Sequence, residues 1–479
     1  MGRVLANDAR PTFVETPTRP VDRAWVGVAV LVPGLVALLA TMRTIDLAYH
    51  LRTGDLILAT RSIPRLDTFT FSVPGAPWLD HQWGAQLALA SAFRAGGWPT
   101  LKALQAVLVA LSFGLVFLAC RGAGATHRWA AGLTLAGFTV ASAALALRPQ
   151  LLGLPLFAVS LWVLTTRHRH PGRLWALPGL AAVAANLHGS FTLFPLLVGL
   201  AWLEDRRGPD GRRLLLVGAA TALATLLNPF GIDAWRYAYE LSTNPIIRET
   251  ITEWSAVSLA DPAGAVVLGS ALAVAAFLAR RAEAISWTSL LRLGVFLVLA
   301  LLAIRAVVWW AVVAPVVLAG LLPAPRTPAS PGPRGSWAPA MALLGTLLMA
   351  VVVLLPWWRG AGFEAHLADA PPGITRAVAA LPTGSRLFNH QPWGSWFILA
   401  TPQHRVFVDS RIEIVPEPVW DDYGQVAFAG ARWREVLARW RPDAIVAKAD
   451  WELIPLLRAD PGWRVLYEDE DGVVFVPAA

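Results

Sequence analysis

Asp46 and His50 are the first residues along the chain whose types and spacing suit chemistry. They follow the first long apolar segment, and positions four apart share one face of a helix. A carboxylate beside an imidazole can move a proton to or from a bound hydroxyl group. In a partly dehydrated cavity the pKa of Asp46 should rise toward neutrality. This pattern makes Asp46 and His50 candidates for acid–base chemistry.

Other polar residues also follow apolar segments. The stretch after Asp46 carries Arg52, Asp55, Asp67 and the run WLDHQW, which contains Asp80 and His81. Later segments are followed by further polar residues: Arg148, Gln150, Asn186, His188, Asn228 and Arg305. If these segment ends share one side, they form a polar outward cavity that would fit an anionic substrate with a proton to remove.

Each of these residues also has a structural interpretation. An Asp after a membrane helix is often an interfacial or capping residue. Asp67 could form a turn, and His188 could fill a hydrogen-bonded turn in NLHGS. Arg148 could cap carbonyl groups before Pro149.

The elements that must position these residues are membrane helices. The chain has 479 residues, of which 56% are hydrophobic and 15% charged, and its mean hydropathy is +0.53. A soluble domain carries roughly 25% charged residues. About eleven spans are predicted. They lie near Ala24–Met42, Leu101–Cys120, Trp129–Leu147, Leu151–Thr166, Leu174–Leu187, Phe191–Leu203, Leu214–Leu227, Ala263–Ala279, Trp287–Ile304, Ala306–Leu321 and Ala338–Trp357.

The net charge of +8 comes largely from arginine-rich turns such as RHRHPGR and EDRRGPDGRR. These turns fit the positive-inside rule better than a nucleic-acid surface, so no nucleic-acid partner is expected. Residues 1–23 are then cytoplasmic and residues 24–358 form the membrane domain. Outer loops are expected at 43–100 and 228–261. Cys120 is the single cysteine, which excludes a disulfide framework within the chain.

Residues 359–479 are predicted to form an extracytoplasmic α/β domain. Strand-like runs such as RLFN, RVFVDSR and GVVFVP alternate there with helix-like stretches. The RVFVDSR run holds Asp409 and Arg411, which form either an internal ion pair or part of a surface that reads an acceptor. The segment Pro323–Gly335, before the last span, is predicted to be a linker.

The order of these motifs resembles a family. The run DLAYHLRTGDLILATRSIPRLDTFTFSVPGAPWLDHQWGAQ, then RPQ, NLHGSF, NPFG, EW and RVFVDSR, resembles the bacterial GT-C-type membrane glycosyltransferase-like proteins. More distantly it is similar to the protein mannosyltransferase and aminoarabinose transferase superfamily. The resemblance covers most of the chain. It implies a mainly α fold, with a polytopic helical bundle and a small C-terminal α/β domain.

The resemblance also implies an activity. Such enzymes transfer a sugar from a polyprenyl-phosphate carrier to a glycan, lipid or protein acceptor on the outer face of the bacterial cytoplasmic (inner) membrane. Asp46 matches the catalytic base, and Asp67 or Asp80 would assist it. This sequence departs from the better-known acidic pairs, because Leu47 follows Asp46.

The remaining residues are then expected to bind substrate, with membrane lipids as further partners. They are His50, Arg52, His81, Arg148, Gln150, Asn186, His188, Arg305, Asp409 and Arg411. No cofactor is certain, although a divalent metal ion could bridge Asp46, His50, Asp67 and Asp80 to the phosphate. The alternative is a non-catalytic protein that binds or transports a lipid-linked glycan.

Overall fold

The computed structural model describes residues 20–42, 44–244, 252–281, 285–323 and 370–478. The last predicted span, Ala338–Trp357, lies outside these residues, as does nearly all of the predicted linker. The helices of the first part are α1 (Pro20–Leu39), α2 (Leu47–Thr60), α3 (Trp83–Gly122), α4 (His127–Ala141), α5 (Pro149–Thr165), α6 (Ala176–Ala185), α7 (Leu193–Asp205), α8 (Gly211–Ala224), α9 (Asp233–Thr243), α10 (Pro262–Ala279), α11 (Trp287–Leu302) and α12 (Val307–Gly320).

The first ten predicted spans each fall on one of these helices. The number of spans is not confirmed. Three described helices are long and apolar enough to cross a membrane, within Asp22–Leu39, Trp83–Gly122 and Pro262–Ala279. Shorter apolar helices occupy Pro149–Thr165, Trp287–Leu302 and Ile304–Gly320. A continuous helix of about 20 residues is needed to span a bilayer without tilt or thinning.

Aromatic side chains form the centre of the helical core. Phe157 of α5 makes edge-to-face contacts with Phe194 of α7, Phe296 of α11 and Trp309 of α12, with ring centroids 4.9 to 6.0 Å apart. All four side chains are buried. Edge-to-face pairs add about 0.5–1.5 kcal/mol to the burial of each ring. This contact joins four helices, α5, α7, α11 and α12, in one core.

The long helix α3 is two helices joined at a break. Gly96 and Gly97 have non-helical backbone angles, and Gly97 has φ +64°, a conformation that glycine adopts without strain. Pro99 then begins the second part, as suits the first turn of a helix. The break coincides with the end of the predicted first outer loop. The part from Trp83 to Ala95 therefore belongs with α2 rather than with the span.

Gly54 allows α2 to pack closely on the first part of α3. A Cβ atom at this position would clash with the carbonyl oxygen of Gln86 and would lie 2.6 Å from Cβ of Ala90. An ion pair between Asp55 and Arg94, 2.7 Å apart, closes the same interface. The close approach brings His50 of α2 beside Gln86 of α3.

The C-terminal part is a small α/β domain, as predicted. Its helices are α13 (Pro372–Ala379), α14 (Gln391–Ala400), α15 (Glu417–Ala427), α16 (Trp433–Trp440) and α17 (Ile454–Ala459). Its strands are β1 (Arg386–Asn389), β2 (Arg405–Val406), β3 (Ala444–Lys448), β4 (Trp463–Glu468) and β5 (Gly472–Pro477). The sheet order is β2-β1-β3-β5-β4. β1 runs parallel to β2 and β3, whereas β5 is antiparallel to its neighbours.

The first loop adds a short segment to this sheet beside β2. Thr70 forms a parallel bridge with Val406, and the backbone N–H of Phe71 donates to the carbonyl of Val406 over 3.0 Å. The Ser72 hydroxyl donates to the carbonyl of Phe407 over 2.5 Å. The loop and the C-terminal domain are therefore joined through main-chain hydrogen bonds.

A buried ion cluster of Asp67, Asp409 and Arg411 holds the same junction. Arg411 Nη2 lies 2.7 Å from Asp67 Oδ1 and 2.5 Å from Asp409 Oδ2, and all three side chains are inaccessible to solvent. Arg411 also lies over the ring of Trp78, 4.6 Å from its centroid. The ion-pair interpretation of Asp409 and Arg411 matches this geometry, and Asp67 is an additional partner.

We expect Gly54→Ala to lower stability by about 1 to 3 kcal/mol, because the added methyl group separates two packed helices. The apparent thermal midpoint of the full-length protein in detergent, followed by tryptophan fluorescence, measures the change. Gly132→Ala on α4 is the control, since a Cβ atom there meets nothing within 4 Å. Equal midpoints for the two variants would contradict the close approach.

We expect Arg411→Met to lower stability by about 3 to 5 kcal/mol, because it leaves two buried carboxylates without a counter-charge. Arg458→Met is the matched control, since its ion pair with Glu468 is 45% exposed on both sides and such pairs contribute little. Denaturant titration of both full-length variants compares them. A small effect at Arg411 would show that the cluster is dispensable.

Candidate functional site

Most of the predicted polar residues meet at one end of the bundle, under the C-terminal domain. Asp46 precedes the first residue of α2, and Arg148 precedes the first residue of α5. Asp80 and His81 lie just before α3, and His188 follows α6. Each of these residues lies where an apolar run begins or stops, and therefore at a helix end. They cluster because these helix ends lie on the same side of the bundle.

Asp46 and Arg148 form the central ion pair. Arg148 Nε lies 3.1 Å from Asp46 Oδ1 and 3.1 Å from the Thr44 hydroxyl, which itself donates to Asp46 Oδ1 over 2.5 Å. His50 Nε2 lies 4.0 Å from Asp46 Oδ2, as the spacing of four predicts. The Asp46 side chain is 25% exposed, so part of the carboxylate remains accessible.

The predicted rise in the pKa of Asp46 is wrong. Burial raises this pKa, but the charges of Arg148 and His50 and the hydrogen bond from Thr44 outweigh burial, so the pKa lies below its ordinary value. Asp46 is therefore ionised at neutral pH.

The second loop contributes two residues that the sequence interpretation missed. Glu253 pairs with Arg148, and the ring of Trp254 lies under Arg305, 4.4 Å from the guanidinium carbon. The dipeptide EW was part of the motif order, but nothing in its spacing indicated a contact with α5.

Gln86 links His50 to Asp80, and it was also missed. Its amide nitrogen donates to Asp80 Oδ1 over 2.8 Å and lies 3.3 Å from His50 Nδ1. An amide nitrogen carries two hydrogens and can serve both acceptors. The proton of neutral His50 is then on Nε2, facing Asp46. Burial lowers the pKa of His50 to about 4, so His50 is neutral at pH 7.

Asp80 has the raised pKa that was expected of Asp46. Burial raises the pKa of Asp80 to about 7, against the hydrogen bond from Gln86 and the charge of Arg411. The carboxyl group is 3% exposed, and its Oδ2 has no hydrogen-bond partner among the described residues. Asp80 is therefore a buried acid that titrates near neutrality.

His188 holds Arg305 in the same cavity. Arg305 Nη2 lies 3.1 Å from His188 Nε2. The other ring nitrogen of His188, Nδ1, accepts from the backbone N–H of Ser190 over 3.1 Å, and the Ser190 hydroxyl lies 3.0 Å from it. Gln150 donates to the carbonyl of Arg305 over 2.9 Å. Arg305 makes no ion pair with a carboxylate among the described residues.

Other predicted binding residues have structural partners. Asn186 accepts from the Trp83 indole over 2.9 Å and donates to the carbonyls of Ala182 and Leu227, each over 2.8 Å. Arg52 lies on α2 two positions after His50, so it points to a different face of the helix. Their roles in substrate binding stay predictions.

Tyr237 of α9 connects the site to the C-terminal domain. Its hydroxyl donates to Glu413 Oε1 over 2.8 Å, and its ring packs on His81 with centroids 5.0 Å apart. Burial lowers the pKa of His81 to about 4 and raises that of Glu413. Three separate chain segments thus close one side of the cavity.

The buried cluster of Asp67, Asp409 and Arg411 joins the first loop to the C-terminal domain beside this site. Asp67 also accepts hydrogen bonds from the backbone N–H groups of Phe69 and Thr70 and from the Thr70 hydroxyl. With both oxygens engaged, its geometry favours a structural role over the predicted catalytic one.

The donor set for a metal ion is not assembled in the described part of the chain. No group of three or more His, Cys, Asp or Glu side chains there is placed to hold one. Of the four proposed ligands, Asp67 is engaged by Arg411. The residues present do not fit the suggested bridging metal.

Comparison with solved structures finds a similar fold in an archaeal oligosaccharyltransferase, AglB from Archaeoglobus fulgidus, solved in complex with an inhibitory peptide and a dolichol-phosphate. The TM-score is 0.53 at 12% sequence identity, over 95% of this chain and 74% of that chain. No family model and no curated protein matches this sequence. The likeness supports a distant GT-C-like relation for the fold, while the bacterial group named from the motif order stays a prediction.

Proposed function

We propose that this protein is a membrane glycosyltransferase that moves a sugar from a polyprenyl-phosphate carrier to an acceptor. The reaction would take place on the outer face of a bacterial cytoplasmic membrane. The observation that carries the proposal is one cluster of charged groups: the ionised, partly exposed carboxylate of Asp46 pairs with Arg148, and Arg305 lies near enough for its charge to interact with both. The GT-C-like fold supports the same reaction class.

In the proposed reaction the acceptor hydroxyl attacks the anomeric carbon of the sugar. The bond from that carbon to the phosphate oxygen breaks, and the carrier leaves as polyprenyl phosphate. Asp46 accepts the hydroxyl proton, since its carboxylate is ionised and partly exposed. Neutral His50, with its Nε2 proton facing Asp46, would orient the carboxylate.

The leaving phosphate would be bound by Arg305 and Arg148. Arg148 is already balanced by Asp46 and Glu253, whereas Arg305 is held by neutral His188 and by the face of Trp254. Because Arg305 has no direct carboxylate partner among the described residues, its guanidinium would be the first to bind the phosphate oxygens.

A cleft beside Asp46 would receive the first part of the apolar carrier. Its lining includes Leu47, Trp98 and Trp396, and it reaches Thr44, which contacts both Asp46 and Arg148. A chain in this cleft would end at the guanidinium of Arg148.

One observation favours the alternative of a protein that only binds a lipid-linked glycan. The lowered pKa of Asp46 makes it a weaker base, and a carboxylate can serve as a counter-charge alone. Only a measurement of transfer separates the two functions.

We expect Asp46→Asn to reduce sugar transfer at least about 100-fold, because the amide cannot accept the proton. The assay uses purified protein in lipid nanodiscs with a radiolabelled polyprenyl-phosphate sugar and a panel of acceptor alcohols. Asp55→Asn is the control, because Asp55 pairs with Arg94 at the edge of the site. Transfer by a folded Asp46→Asn protein at the wild-type rate would exclude Asp46 as the base. Donor binding without transfer in the wild type would support the binding protein.

The pH dependence of transfer distinguishes Asp46 from Asp80 as base. The pKa of Asp46 is lowered, so the ionised form is present above that pKa and is lost only as the pH falls through it, below 3.8. We therefore expect kcat/KM to be level between about pH 6 and 8. A base with the pKa of Asp80, about 7, would instead give a rate that rises up to about pH 7. If that rise occurs in the wild type and is absent in Asp80→Asn, the base is Asp80.

A further inference from the structure

Lys102 and Gln105 are buried polar residues on the span part of α3. They are 5% and 4% exposed and lie one turn apart, so they share a face of the helix. A lysine in an apolar helix is rare and usually has a specific partner. Neither residue contacts the ion pair of Asp46 and Arg148 among the described contacts.

The two side chains bind each other and two chain segments. Lys102 Nζ donates to the carbonyl of Ala40 and to Gln105 Oε1 over 3.1 Å. Gln105 Nε2 donates to the carbonyl of Leu145 over 2.9 Å. The carbonyl groups at the end of a helix lack helical partners and carry partial negative charge. The ammonium group of Lys102 satisfies this need at the end of α1.

Both bound segments lead directly to the site. Ala40 follows α1 and comes shortly before Thr44 and Asp46, while Leu145 comes shortly before Arg148 at the start of α5. The same pair of side chains on α3 thus holds the two segments that carry the two ends of the ion pair.

We propose that Lys102 and Gln105 are positioning residues that set the distance between Asp46 and Arg148. The inference concerns the ion pair, and only its importance for sugar transfer rests on the proposed function. Loss of either the hydrogen bond to Ala40 or the one to Leu145 would move Asp46 and Arg148 apart. Neither change removes a group that contacts the site.

The ionisation of Asp46 reports this distance. The groups that face it or act on its charge are Arg148 from α5, His50 and Tyr49 from α2, and Arg305 before α12, while Glu253 faces Arg148. The pKa of Asp46 is lowered chiefly by Arg148, which offsets burial. Moving Arg148 away therefore raises this pKa.

The test is an infrared pH titration of the full-length protein in nanodiscs, with the Asp46 band assigned by its loss in Asp46→Asn. Lys102→Met removes the hydrogen bond to the carbonyl of Ala40. Gln105→Glu keeps an acceptor for Lys102 but loses the donor to Leu145. In both variants we expect the pKa of Asp46 to rise by about one pH unit. The control is Ser112→Ala on the same helix, whose buried hydroxyl binds only the carbonyl of Leu108 among the described contacts, and it should leave the pKa unchanged.

A merely structural role would lower the thermal midpoint without moving the Asp46 band. An unchanged pKa in a folded Lys102→Met or Gln105→Glu protein would overturn the proposal. If Lys102→Met does not fold, Gln105→Glu decides the matter. The titration needs no sugar transfer, so its result stands apart from the proposed function; if transfer occurs, it should fall about tenfold per folded molecule in both variants.

Discussion

The buried contact of Arg411 with Asp67 and Asp409 is the constraint on which the rest of the structure depends. Three charges without solvent are stable only when their partners are fixed in place. One carboxylate comes from the first loop and the other from the C-terminal domain, so the two parts cannot separate without exposing the arginine. The backbone bridge between Thr70 and Val406 joins the same two parts of the chain. Asp80, His81 and Tyr237 then have a fixed roof over the cavity.

At Asp46 the neighbouring charges outweigh burial, whereas burial decides the protonation states of Asp80, His50 and His81. Asp46 and Asp80 both lie in the first loop, yet their pKa values move in opposite directions. Asp46 has Arg148 beside it, while Asp80 has the uncharged amide of Gln86. Two carboxyl groups in different protonation states at neutral pH are a frequent basis for dividing acid and base roles. The imidazoles of His50 and His81 stay neutral, which leaves Arg305 as the main source of positive potential.

Hydropathy and helix-end polarity predicted the helices, the α/β domain and much of the cavity. The apolar runs stop where membrane helices stop, so Asp46, Arg148 and His188 could be expected on one side. The contacts that Glu253, Trp254 and Gln86 make with these residues could not be predicted, because they form only when segments distant in sequence pack together. The pKa of Asp46 was wrong for the same reason: burial was foreseen, but not an arginine at 3.1 Å. Likewise, the acidic character of Asp67 suggested chemistry, while its actual partner lies at the other end of the sequence.

The first-loop segment that pairs with β2 also has a consequence for the order of assembly. The Ser72 hydroxyl meets the carbonyl of a residue 335 positions later, and Asp67 meets an arginine 344 positions later. During synthesis the first loop therefore remains without these partners until residues 406–411 have left the ribosome. Contacts of such long sequence separation form late, and unpaired strand edges invite wrong association in the meantime. The site is completed by a domain that is made after the helical bundle, so a chain truncated before β2 would insert its helices without a finished site.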